Sequence, residues 1–277
     1  IIMKKDFVFF YHLIIKKVPD RWLVKFSNTK LGTLFIKFLK SQKKPVDIGN
    51  GLKMYFDYTN PRLSHIVYDD DIEEGKSKQA FLDLIDDGDI VIDVGANIGE
   101  YSLIAAQKVK EHGKVISIEP LKETAQTLTK HFQLNNFTNY EVITKVIGNE
   151  TKKVNLYKQM AGGTMGFVDS TLIGRKFEKV DEVEMTTIDE ILSTRNIENV
   201  KIMKIDIEGY EFELLKGAKN SLQNKKIENM MIEVHINYLK EKGISEKQFY
   251  DYLTKQGYVV DTIQKTSSNR SHVHVHI

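Results

Sequence analysis

The chain has no cysteine among its 277 residues. Disulfides, zinc–thiolate centres and cysteine nucleophiles are thereby excluded, and nothing points to an oxidising compartment. Long apolar runs are also missing. The aromatic and aliphatic stretch Phe7–Ile15 covers nine positions, where a membrane-spanning helix needs about 20. No small-residue cleavage site follows it, so a secretory leader is not expected. A strong net charge is absent too, at +2, but the two parts of the chain differ. Residues 1–44 hold 11 Lys and Arg against 2 Asp and Glu, a balance of +9, and the remainder stands at −7.

That basic segment interleaves aromatic and leucine positions with lysine through Phe7–Ile15, Trp22–Phe26 and Leu31–Leu39. As a helical extension over residues 1–45 it has two readings: its apolar face can lie on an anionic membrane surface, or it can pack on protein with its lysines solvated. Residues 46–84 are expected to form a small hairpin, turning at Gly49 and Gly51, and a helix leading in to the main domain, 85–277.

In that domain, short β-branched runs alternate with helical patterns, as in an α/β fold with a mostly parallel sheet, helices on both faces and an antiparallel closing strand. The first run, Ile90–Val94, ends in the turn Gly95-Ala96-Asn97-Ile98-Gly99. The glycines let the backbone bend and a ligand come close, beyond the carboxyl end of a strand where open α/β sheets bind ligands. A second run, Lys114–Ile118, delivers Glu119, 24 positions beyond Gly95. An acidic residue at about that distance reaches a ribose diol, so an adenosine-containing cofactor is implied. Asn97 stands where a pyrophosphate-binding turn has its bare middle glycine, and Asp93 places negative charge nearby. Both argue against NAD and for S-adenosylmethionine, which carries an ammonium and a sulfonium.

Four stretches then carry a resemblance: Asp93-Val-Gly-Ala-Asn-Ile-Gly-Glu-Tyr-Ser102, Ile118-Glu-Pro120, Lys204-Ile-Asp-Ile-Glu-Gly-Tyr-Glu211 and Ile232-Glu-Val-His235. In order and spacing they resemble the FkbM family of S-adenosylmethionine-dependent methyltransferases, over roughly residues 46–260. The resemblance implies a Rossmann-like class I methyltransferase sheet and a sugar, glycolipid or related metabolite as acceptor. The cofactor residues it implies are Asp93, Gly95, Ala96, Asn97, Gly99, Tyr101, Glu119, Pro120, Lys145, Val146 and Asp206, with Glu74 a further candidate near the methionine end. Lys145 and Val146 close the third expected strand, Tyr140–Ile147, which should flank the adenine; with lysine where many methyltransferases have an acid, the backbone or Gly148-Asn149 must make that contact. The polar connection Ala161–Gly174, between two further strands, is expected to help form the acceptor pocket.

The fourth strand, Val200–Ile207, carries Asp206 and Glu208 to its end, before a helix over Tyr210–Gln223, and the fifth brings Glu233 and His235 to the same edge. Methyl transfer to a hydroxyl needs alignment and a base. His235 and Asp206 are the candidate bases, with Glu208 orienting the acceptor. Two carboxylates and an imidazole can also hold Mg²⁺ or Mn²⁺, an open alternative although no metal is expected. Thr187 and Glu190 suit a capping box, which leaves Asp189 structural. His272, His274 and His276 share one face of the last strand, with no further ligand evident beside them.

The leading reading is an S-adenosylmethionine-dependent O-methyltransferase, cytoplasmic or peripheral at the inner membrane face, with no nucleic-acid partner. One alternative is a nicotinamide-dependent oxidoreductase, for which Tyr238 and Lys242 have the Tyr-x-x-x-Lys spacing. The other is a non-catalytic, membrane-associated binder of an adenosine ligand.

Overall fold

The computed structural model describes residue 30 and residues 44–56, 72–159, 166–167, 177–267 and 270–277. The chain divides into two compact units, residues 1–72 and 73–277. In the first, β1 (Lys44–Gly49) and β2 (Leu52–Phe56) pair antiparallel. Gly49, Asn50 and Gly51 all take positive φ at the turn, and Asp47 Oδ1 accepts the Gly49 N–H at 2.7 Å. The basic segment before Lys44 lies outside the described residues except for position 30, and so do its two readings. Among the described residues no helix is long and apolar enough to cross a membrane.

The second unit alternates as the sequence patterning requires. Helix α1 (Ile72–Asp83) leads to β3 (Ile90–Val94), α2 (Glu100–Val109), β4 (Lys114–Ile118), α3 (Lys122–Leu134) and β5 (Tyr140–Ile143). A second sheet is then formed by β6 (Val146–Ile147), β7 (Lys152–Gln159), β8 (Gly166–Phe167) and β9 (Phe177–Thr186). The chain returns through α4 (Ile188–Thr194), β10 (Val200–Ile205), α5 (Glu211–Gly217), α6 (Lys219–Gln223) and β11 (Ile227–His235). It closes with α7 (Ile236–Glu241), α8 (Glu246–Lys255), β12 (Val259–Ser267) and β13 (Arg270–His276).

The main sheet has the order β12-β13-β11-β10-β3-β4-β5. Its five strands β11, β10, β3, β4 and β5 are parallel, and β13 runs antiparallel to both neighbours. Strand order reverses between β3 and β10, which makes the carboxyl ends of these two strands the switch point where such sheets bind ligands. Val91 and Ile92 point to opposite faces of β3, and both are fully buried, so helices cover the sheet on each side. One continuous core joins Ile92, Ile116, Met203 and Ile232 of the sheet to Leu214, Leu215 and Phe249 of the helices.

Three local expectations are corrected. The third strand does not run through Tyr140–Ile147: it stops at Ile143, and Val146–Ile147 pairs instead with Met185–Thr186 of the second sheet. The edge strand β5 thus hands the chain from one sheet to the other at Thr144-Lys145. The helix expected over Tyr210–Gln223 breaks at Ala218. There Asp189 supplies a fresh start, its carboxylate accepting the N–H groups of Asn220 and Ser221 at 2.9 and 2.8 Å. The capping box at Thr187 is half made. Thr187 Oγ1 accepts the Glu190 N–H at 3.0 Å, but the Glu190 carboxylate accepts the hydroxyls of Thr186 and Thr151. A complete capping box stands at Ser245 and Gln248 instead.

Candidate active site

The turn after β3 is tied down from both neighbouring strands. The N–H groups of Gly95 and Ala96 donate to the Ile118 carbonyl at 2.9 and 3.0 Å, and the Asp206 N–H donates to the Val94 carbonyl at 3.0 Å. Gly95 has φ +81°, and a Cβ there would run into the carbonyl oxygen of Asp206; a Cβ at Gly99 would run into Leu128. These glycines are needed because protein packs against them. The expectation that their missing side chains make room for a ligand is therefore revised: they make room for β10 and α3.

Glu119, at the end of β4, closes round the same turn. One carboxylate oxygen accepts the Asn97 N–H at 3.0 Å and the other the Leu121 N–H at 2.9 Å. Burial pushes its pKa up to about 7, against the two backbone N–H donors, with the negative charge of Asp93 adding to the rise. Each oxygen keeps a further lone pair for a ligand hydroxyl. Asp93 is buried as well. Its Oδ2 accepts the Ser102 hydroxyl at 2.6 Å, and Ser117 in turn donates to Ser102 at 2.8 Å. Burial raises its pKa, with Lys204, its register partner on β10, acting in the opposite direction.

Oδ1 of Asp93 and Oδ1 of Asn97 are buried with no hydrogen-bond partner among the described residues. Both are acceptors at the carboxyl end of β3, so the group they lack is a donor, preferably a positive one. S-adenosylmethionine, with its ammonium and sulfonium, fits that deficit. A pyrophosphate would add acceptors and negative charge to a place already short of donors. Tyr101, at the start of α2, packs edge-on against Phe81, and the Lys204 ammonium lies 4.6 Å from its ring centroid. Lys204 Nζ is also 3.3 Å from Asp206 Oδ2, so the ion pair between these two does form. The Lys145 side chain bonds Glu184 of the second sheet at 2.9 Å, and Val146 pairs with Met185 of β9. Pro120 follows Glu119 directly. The side chain of Glu74 and the connection around Ala161–Gly174, apart from the short strand β8, lie outside the described residues.

A second group of side chains gathers where β10 and β11 end. Donor atoms of Asp206, Glu208 and His235 all lie within 4.8 Å of one another. Glu208 has φ +51° and is followed by Gly209 at φ +94°. A non-glycine residue held in that region carries about 1–3 kcal/mol of strain, of the kind found at functional turns. Its pKa is raised by burial, with the His235 charge opposing. His235 is buried, its Nδ1 2.7 Å from Glu211 Oε1 and its Nε2 3.4 Å from Glu208 Oε2. Burial alone would lower the imidazole pKa, but Glu211, Glu208 and Asp206 outweigh it and lift it to about 9.

Glu211 is the residue that the sequence reading passed over. It is fully buried, and Oε1 also accepts the Gly209 N–H at 2.9 Å, so one oxygen fixes both the turn and the imidazole. Glu233, expected at the same edge, turns toward β13. It accepts from Arg270 at 2.9 Å and lies 3.5 Å from His272, while its Oε1 stays 3.7 Å from His235 Nε2; His272, His235 and Arg270 together lower its pKa despite the cost of burial. The three histidines of β13 therefore do not converge. His274 and His276 instead meet Asp261 of β12, a ligand the sequence reading did not find because cross-strand register supplies it.

Tyr238 and Lys242 brace the catalytic-side turn. The Tyr238 ring stacks on His235 at 5.7 Å, and Lys242 Nζ donates to the Gly209 carbonyl at 3.1 Å and lies over the Tyr210 ring. That employment speaks against their use as an oxidoreductase pair.

In sequence, the chain is similar to known methyltransferases. The profile described as the Methyltransferase FkbM domain matches residues 93–260. A hexuronic acid methyltransferase, AglP, of Haloferax volcanii is 27% identical over 159 residues, covering 56% of this chain and 59% of AglP. Methyltransferase 1 of Beauveria bassiana is 23% identical over 164 residues, 53% of this chain and 65% of that protein. The matches thus span less than two thirds of either relative. Among solved structures, a SAM-dependent methyltransferase from Aquifex aeolicus aligns with TM-score 0.46 and 15% identity over 78% of this chain and 97% of that one.

Proposed function

Since this chain belongs to the FkbM family of methyltransferases, we propose that it transfers a methyl group from S-adenosylmethionine to a hydroxyl of a sugar or glycolipid acceptor. The observation that carries the cofactor is the acceptor-rich crevice at the end of β3, where Asp93, Asn97 and Glu119 converge and two buried oxygens lack donors. The name of AglP, a hexuronic acid methyltransferase, supports a saccharide acceptor.

The bound donor supplies an electrophilic methyl group on a positively charged sulfur. Glu119 would accept the ribose hydroxyls, while Asp93 and Asn97 would meet the positive end. Asp206 is the base. Its side chain is 27% exposed, whereas those of Glu208 and His235 are 10% and 3% exposed and face each other. Asp206 would take the hydroxyl proton as the acceptor oxygen bonds the methyl carbon and the carbon–sulfur bond breaks, its electron pair staying on the sulfur of S-adenosylhomocysteine; general-base help of this kind contributes about 10²–10⁴-fold. Glu208 and His235 would position the acceptor, and of the two candidate bases, His235 and Asp206, the more exposed Asp206 is the one an acceptor reaches first.

Incubation with S-adenosylmethionine and uronate- or hexose-bearing glycans tests the reading, with S-adenosylhomocysteine and methylated product measured together. Equal amounts of both are expected. Tight donor binding with no turnover on any of these acceptors would contradict the saccharide assignment and favour a non-catalytic binder.

A further inference from the structure

We propose that Asp206, Glu208 and His235 form a binding site for one divalent cation of the Mg²⁺ or Mn²⁺ kind. Their donor atoms lie within 4.8 Å of one another. Around an octahedral ion with ligands at about 2.1 Å, neighbouring donors stand ~3 Å apart and opposite ones ~4 Å. Small side-chain shifts therefore close the trio on an ion, and His235 Nε2 and Glu208 Oε2, at 3.4 Å, are already near the spacing of neighbours. Two carboxylates with one imidazole are a hard to borderline donor set, suited to Mn²⁺ and Mg²⁺.

An independent observation points to a missing ligand. His235 Nε2 and Glu208 Oε2 are both buried, face each other, and have no hydrogen-bond partner among the described residues. Buried polar atoms in such a state call for an explanation. The imidazole is also held as metal-ligating imidazoles are, its other nitrogen bonded to the carboxylate of Glu211 at 2.7 Å. The strained φ of Glu208 brings its carboxylate into the same space. The role of the ion, though not the existence of the site, rests on the methyl-transfer reading. Its remaining coordination positions would receive the acceptor hydroxyl and make that hydroxyl more acidic, so that the Asp206 carboxylate oxygen not held by the ion suffices as base.

Mn²⁺ is the probe, titrated into the EDTA-stripped full chain with the free ion followed by electron paramagnetic resonance. A His276→Ala background removes the surface trio of Asp261, His274 and His276. One Mn²⁺ per chain is expected. Asp206→Asn and His235→Ala should each weaken binding at least 100-fold, and Glu211→Gln roughly tenfold, with circular dichroism confirming the fold. Calorimetry on the same samples should show S-adenosylmethionine binding with or without EDTA. No Mn²⁺ uptake by protein that still binds S-adenosylmethionine would overturn the proposal and leave a proton on Nε2, as would uptake indifferent to Asp206→Asn and Glu208→Gln. Mn²⁺ uptake without S-adenosylmethionine binding would uphold the site and remove the methyl-transfer reading.

Discussion

Glu119 is buried yet carries a carboxyl whose pKa is pushed up to about 7 by loss of water, in spite of two backbone donors. The folded state therefore holds this proton more tightly than the unfolded chain does. Its stability contribution is full below about pH 4.5 and is lost as pH climbs toward 7, by roughly 3 kcal/mol. If Glu119 holds the ribose as proposed, ligand binding has the opposite dependence, because the hydroxyls would donate to the charged form. The affinity for S-adenosylmethionine should fall as pH drops from 8 to 6, by up to about tenfold per unit below 7; calorimetry at three pH values measures it. Glu119→Gln should flatten that slope and weaken binding at least tenfold. Glu119 was legible from its spacing to Gly95, and Asp93 from its place before the turn. Glu211 was not, because an acidic residue in the first turn of a helix already has an ordinary explanation in the helix dipole. The readable signal was three carboxylates, Asp206, Glu208 and Glu211, round one strand-to-helix turn.

Asp189 shows how an element's limits depend on partners distant in sequence. It sits in the first turn of α4 but its carboxylate accepts two N–H groups and a hydroxyl from Asn220 and Ser221 at the start of α6. Asp189→Ala should destabilise the fold by about 1–2 kcal/mol, as loss of a helix N-cap does, and leave the affinity for S-adenosylmethionine unchanged; thermal melts with calorimetry would show both. Sequence pattern found α4 and the helical stretch after β10, but not the break at Ala218, since the single Gly217 before it can also be tolerated inside a helix and the cap comes from elsewhere. The division of the third strand was hidden for the same kind of reason. Tyr140–Ile147 is uniformly strand-forming, and only the presence of β9 beside Val146–Ile147 draws its last part into another sheet. The strand-to-helix turn at Gly95 was legible as a bend, whereas its steric cause, the Asp206 carbonyl, comes from a strand more than a hundred residues later.

Across the whole molecule, alternation in the sequence gave the α/β class and the antiparallel close, since buried parallel strands read as β-branched runs. The spatial order of strands is not local information. It arises from right-handed crossovers and the return of the chain to β10 beside β3, which sets the switch point. That order brings two acidic groups to one edge: Asp93 and Glu119 on β3 and β4, Asp206 and Glu208 after β10. On the proposed function the first holds the cofactor and the second acts on the acceptor, so the two functions should separate by mutation. Calorimetric titration of S-adenosylmethionine, paired with S-adenosylhomocysteine release, tests this most directly on wild-type, Asp93→Ala and Asp206→Asn protein. Asp93→Ala should lose binding, and Asp206→Asn should bind within about threefold of wild type while its turnover falls at least 100-fold. Wild-type protein that ignores S-adenosylmethionine and binds NAD, or equal loss of binding in both variants, would contradict it.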